Sequence, residues 1–139
     1  MKYLVLFLLL PFVSTSQEKK ASKVIVIAKD TSNLFKRVSA FLLADGYTFE
    51  QRDEELQFIA TAGKKMPRSG GSGKLRASIK DSIVTITGLV TVESLLSKGD
   101  ATTFEPVSYK GMNGSLNMKV WNEMVAVARK LGEQISYSK

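Results

Sequence analysis

The side chains able to do chemistry are few in kind: 20 lysines and arginines and 13 aspartates and glutamates, with no histidine and no cysteine in 139 residues. The usual zinc ligands, thiol nucleophiles and Ser-His-Asp or Cys-His triads therefore lack their ligand or base. Carboxylate chemistry stays open, because glycoside hydrolysis needs only two carboxyl groups about 5 to 9.5 Å apart. The densest acids, Asp53, Glu54 and Glu55, fall in a predicted tight turn where water screens them and nothing desolvates one relative to another. Asp81, beside Lys80, also reads as a turn residue, since aspartate favours turns through hydrogen bonds to its own backbone. No catalytic residue, metal ligand or cofactor follows from these spacings.

The segment from Lys64 to Lys74 reads Lys-Lys-Met-Pro-Arg-Ser-Gly-Gly-Ser-Gly-Lys and invites comparison with a phosphate-binding loop. It fails that motif. A P-loop needs Gly where Arg68 stands and Ser or Thr where Leu75 stands. It also needs a helix next, to point its N-terminus at the phosphates, and an alternating strand follows instead. What remains is a flexible hairpin tip in which Lys64, Lys65, Arg68 and Lys74, with Arg76 on the adjoining strand, are candidate contacts for a phosphate or sulfate group. The competing reading is a solvated basic loop. A second unpatterned segment, Glu93 to Ser115, is longer than compact domains usually leave unstructured. Thr103 to Tyr109 suits a short edge strand interrupted by Pro106, while Leu95, Leu96, Phe104 and Tyr109 either cover the sheet edge or contact a partner.

Tyr47 to Val92 supplies the frame for these segments, as four alternating runs of an antiparallel meander. A two-residue turn at Asp81 and Ser82 sets Ile79 opposite Val84, Ala77 opposite Ile86 and Leu75 opposite Gly88. A turn at Asp53 and Glu54 sets Phe49 opposite Phe58 and Tyr47 opposite Ala60. One face is then core. The other collects Glu50, Arg52, Gln57, Ile59, Thr61, Arg76, Ser78, Lys80, Thr85 and Thr87, a polar surface that is solvated or covered by a partner.

Upstream, the apolar run Val24 to Ala28 between Lys23 and Lys29 predicts a central strand. Asp30 or Thr31 offers an N-cap to a helix with Leu34, Phe35, Val38, Phe41 and Leu42 on its apolar side, and Gly46 ends it in a left-handed cap. A second helix runs from near Asn117 to about Leu131, stopped by Gly132. Two amphipathic helices and one apolar sheet face predict an α+β two-layer sandwich in the order β-α-β-β-β-β-α, both helices on one face and Trp121 in the seam.

The N-terminus reads as an export signal: Lys2, an apolar run of about 11 residues and then Ser14, Thr15 and Ser16. That run is too short for a bilayer, which takes about 20. The expected organisation is a signal peptide over 1–16, a flexible arm over 17–22 and a single domain over 23–135. The formal charge of +7, one less once Lys2 departs, favours polyanions weakly or serves solubility. With no disulfides, packing alone holds the exported domain together.

This order of elements behind an export signal resembles the small secreted domains of unknown function from Bacteroidetes-type envelopes that adopt a TATA-binding-protein-like fold. The likeness spans about residues 23 to 132. It rests on Leu-Ala-Asp-Gly-Tyr at Leu43 to Tyr47, a strand after Asp53 and the Lys80-Asp81 turn. The resemblance carries no activity with it, and function belongs to sites rather than scaffolds. Two functions stay open. One is an exported, noncatalytic binding domain of the bacterial envelope, periplasmic or extracellular, whose partner is an envelope protein or an anionic polymer. The other is an envelope-polymer hydrolase or transferase working through carboxylates without metal or cysteine. Neither involves nucleic acid, cofactor or a membrane span after signal cleavage, and the oligomeric state is left open.

Overall fold

A computed structural model describes residues 20–92 and 103–139; the expected signal peptide, residues 17–19 of the arm, Leu95 and Leu96 lie outside them. The described chain runs β1 (Lys23–Ile27), α1 (Leu34–Ala44), β2 (Phe49–Asp53), β3 (Phe58–Thr61), β4 (Lys64–Lys65), β5 (Ser72–Lys80), β6 (Ile83–Val92), β7 (Thr103–Pro106), α2 (Leu116–Leu131) and β8 (Gln134–Ser138). All eight strands join one antiparallel sheet with the order β2-β3-β5-β6-β1-β8.

The long β5–β6 hairpin is its spine, and each outer edge of that hairpin is shared by two shorter strands. β3 and β4 divide the edge of β5, whereas β1 and β7 divide the edge of β6. Between β3 and β4 the chain leaves the ladder at Ala62 and Gly63, and the Leu75 N–H would lose its partner. The hydroxyl of Thr61, a fully buried residue, accepts that N–H at 2.9 Å. On the opposite edge the Val107 N–H donates to the Gly88 carbonyl, bridging the step from β1 to β7. Both gaps are closed because buried backbone groups are costly to leave unpaired.

The register of β5 on β6 matches the expectation pair for pair, with Ile79 opposite Val84, Ala77 opposite Ile86 and Leu75 opposite Gly88. Asp81, at φ 56°, makes the left-handed bend of the two-residue turn. The expected register of β2 on β3 is wrong. Its turn has four residues, Glu54 to Gln57, so that Asp53 pairs with Phe58, Arg52 with Ile59 and Gln51 with Ala60, and a bulge between Phe49 and Gln51 places Phe49 opposite Thr61. Asp53 sets the longer turn by accepting the Leu56 N–H, and Gln57 takes φ 52°. Pairing on β5 decides the faces, since Ile59 stands beside Ala77 while Phe58 stands beside Ser78 and Ala60 beside Arg76. Arg52, Ile59 and Thr61 therefore belong to the helix-covered side, and Phe58 and Ala60 to the open side. Arg52, Ile59, Ala77, Ile86, Val24 and Tyr137 form one cross-strand row over six strands.

Both helices lie on that row's side, giving the two-layer arrangement. From α1, Phe35 stacks its ring 4.7 Å from the Arg52 guanidinium, which also donates to Ser39 Oγ. No side chain caps the start of α1: Asp30 accepts instead from the N–H and hydroxyl of Ser32, and Asn33 at φ 51° stands at the N-cap. Gly46, at φ 90°, completes the expected left-handed exit, its N–H on the Leu43 carbonyl and that of Tyr47 on Leu42. Ser115 caps α2 by accepting from the Met118 N–H. The helix crosses β5 and β6 where they carry Gly73 and Gly88. A Cβ on Gly73 would stand 2.4 Å from Val120 Cγ2, and one on Gly88 2.8 Å from Met124 Sδ. The glycine-rich stretch expected to be a flexible tip is thus partly a close-packing surface, and Met66 within it is buried.

Trp121 is 1% exposed in the seam, its ring 5.7 Å from that of Tyr109 and 5.8 Å from that of Tyr137. Tyr137 belongs to β8, a strand absent from the expected order, which pairs with β1 and carries the fold to Ser138. Packing also begins earlier than Lys23, since Ala21 is fully buried and its carbonyl accepts the Tyr109 N–H.

Candidate functional site

The four basic residues expected at one tip, and Arg76 on the adjoining strand, are divided between the two sides of the sheet by strand alternation. Lys64 pairs with Gly73 and faces the helices; Lys65 pairs with Ser72 and points the other way. Lys74 and Arg76 share the open face with Ser78 and Lys80. Arg68, at φ 61°, stands exposed at the tip beyond β4.

On the open face Lys74 is held twice. Its ammonium lies 2.9 Å from Glu50 and 4.4 Å from the centre of the Phe104 ring. The hydrogen bond from Lys74 holds the Glu50 carboxyl below its ordinary range, with the Lys74 charge adding to the effect. Glu50, Phe58, Ala60, Lys74 and Arg76 line a small depression of about 110 Å³. Beside it runs the row Phe58, Ser78, Thr85, Ile25 and Ser136, and next to that the row Lys80, Ile83, Ile27 and Gln134. Ile27 and Ile83 are adjacent there and 45% and 43% exposed. No described helix covers this face, so its apolar groups and its lysines and arginine meet solvent together.

On the helix side, a polar cluster that the sequence did not signal joins three elements. Glu123 of α2 receives the Tyr47 hydroxyl on Oε2 and the Lys64 ammonium at 3.1 Å on Oε1. Lys64 also donates to the Asp45 carbonyl at 2.6 Å and sits 4.6 Å from the Tyr47 ring centre. The Asp45 carboxylate is taken by Lys130 at 2.9 Å. Burial first, and the Asp45 charge second, push the Glu123 carboxyl up to about 7. Next to Glu123, a shallow depression of about 530 Å³ is lined by Met66, Pro67, Arg68, Lys119, Asn122 and Glu123. Lys119 ties its floor by donating to the Pro67 carbonyl.

Of the expected partner contacts, Tyr109 packs against Trp121 and belongs to the core, whereas Phe104 lies half-buried on the open face beneath Lys74. The only sequence trace of the helix-side cluster is the Lys119–Glu123 spacing of four on α2, which puts both on one helix face. Among the described residues, no three acidic side chains converge as metal ligands. No protein-family model matches the chain, and no curated protein matches it in sequence.

Proposed function

We propose that this chain is an exported, noncatalytic binding domain of the cell envelope, on a TATA-binding-protein-like plan, whose ligand surface is the face of the sheet that no described helix covers. The observation that carries the reading is the one-sided cover: both helices pack on one face, and the other presents Lys74, Arg76 and Lys80 beside exposed Ile27 and Ile83. Paired strands bearing threonines, isoleucines and cations suit an extended anionic polymer, which meets apolar surface with its rings and arginine or lysine with its acidic groups.

The hydrolase or transferase reading ranks second. Its best acid is Glu123, and both oxygens of that carboxyl already have a partner from the chain itself, Tyr47 and Lys64. Such an arrangement fixes the group instead of presenting it to a leaving oxygen.

Retention of the chain from Gln17 onward on immobilised heparin and lipopolysaccharide tests the proposal. Arg76→Ser with Lys80→Ser elutes earlier on both, while Lys36→Ser with Arg129→Ser, exposed on the two helices and away from that face, elutes as the parent does. Equal elution of both double variants contradicts the sheet-face reading.

A further inference from the structure

The depression beside Glu123 is independent of the sheet face and lies on the opposite side of the molecule. Two cations from different elements reach it, Arg68 from the hairpin tip and Lys119 from α2, and Asn122 adds an amide. Lys64 stands behind Glu123, so the local balance is positive even with that carboxyl ionised. Met66 and Pro67 give it an apolar wall, and about 530 Å³ is more than a lone oxyanion fills. We propose that this depression is an oxyanion site taking a sulfate or phosphate ester carried on a sugar, with Arg68, Lys119 and Asn122 as donors and Glu123 as the group that couples binding to proton uptake.

The coupling follows from the groups around the carboxyl. Facing it are Tyr47 ahead of β2, Lys64 on β4, Asp45 with its partner Lys130 at the ends of the two helices, Lys119 one turn earlier on α2 and Arg68 at the tip. An incoming anion adds a like charge and disfavours the carboxylate further. Protonation then removes that repulsion. Since burial and Asp45 already hold the group near neutrality, at about 7, the anion takes up a proton on binding around neutral pH. Affinity therefore rises as the pH falls.

Calorimetric titration of the chain from Gln17 onward with a sugar sulfate and the matching sugar phosphate tests the site, the sulfate serving for the pH series because it does not titrate there. Saturable binding of either ester is expected, and their comparison at one pH tells which is preferred. The sulfate binds roughly fivefold more tightly at about pH 6 than at about pH 8. Arg68→Ser with Lys119→Ser weakens binding about tenfold or more, the loss of charge-assisted hydrogen bonds. Glu123→Gln retains binding but flattens its pH dependence, and Arg76→Ser with Lys80→Ser leaves it unchanged, which separates this site from the sheet face. Thermal melts confirm that each variant is folded. Absence of saturable binding by both esters at about pH 6, or an unaltered pH slope in the Glu123→Gln protein, overturns the proposal.

Discussion

The Lys64 ammonium lies 3.1 Å from the Glu123 carboxylate, joining the edge of the sheet to the second helix, while the Tyr47 hydroxyl occupies the other oxygen of the same group. This clasp is pH-sensitive in a definite direction. Glu123 has its ordinary value of 4.5 in the unfolded chain and about 7 in the folded one, raised by burial and by Asp45. The folded state thus holds the proton more tightly, and its stabilising contribution is complete below 4.5 and lost as the pH rises to about 7. With 28% of the side chain open to screening water, the loss is about 1–2 kcal/mol. Urea melts across this range should show stability declining toward neutrality, and Glu123→Gln should remove that part of the decline. Glu50 acts in the opposite window, since its lowered value makes its contribution vanish only as the pH falls.

Close approach of α2 to the sheet predicts a ranking of two glycine substitutions. In Gly73→Ala the new methyl meets the branched Val120, 2.4 Å away, and the Met66 Cε at 2.9 Å. In Gly88→Ala it meets chiefly the Met124 sulfur, 2.8 Å away at the swinging end of a flexible chain. Overpacking of this kind costs about 2–3 kcal/mol for the first and about 1 kcal/mol for the second. Adding Val120→Ala to Gly73→Ala should recover part of the loss, with a coupling of roughly 1 kcal/mol in a double-mutant cycle. Equal cost at the two glycines would show that α2 does not lean on β5 as described.

The final strand carries more than its polar sequence suggests. Ending the chain at Glu133 removes β8, leaves the outer edge of β1 unpaired and strips Tyr137 from Trp121. The expected loss is about 3–5 kcal/mol, with self-association through the newly bare edge. Urea melts read the first and light scattering the second.

How far the sequence could be read depended on how strongly each element constrained its own register. At β5–β6 a two-residue turn and clean alternation left one solution. At β2–β3 the run Phe-Ile-Ala-Thr is apolar on both parities, so Phe58 and Ala60 compete with Ile59 and Thr61 for the core, and pairing with β5, which sets Ile59 beside Ala77, decides for the latter. β8 is faint in the sequence because Gln-Ile-Ser-Tyr-Ser is short and mostly polar, although Ile135 and Tyr137 do alternate. The glycines before Leu75 read as flexibility, since the helix they accommodate lies more than forty residues downstream of them. The same distance hid the Glu123 cluster: Tyr47, Lys64 and Glu123 meet only through the tertiary fold. Basic residues close in sequence read as one patch, but strand alternation divides them between two faces.

The proposed binding role stands most directly on the open face of the sheet, and nuclear magnetic resonance mapping of the labelled chain against a soluble heparin fragment addresses it. Amide shifts should follow the strands bearing Lys74, Arg76, Ser78, Lys80, Thr85 and Ile27, and should be reduced in Arg76→Ser with Lys80→Ser. Shifts confined to α1 and α2, or none at saturating fragment, would contradict the account.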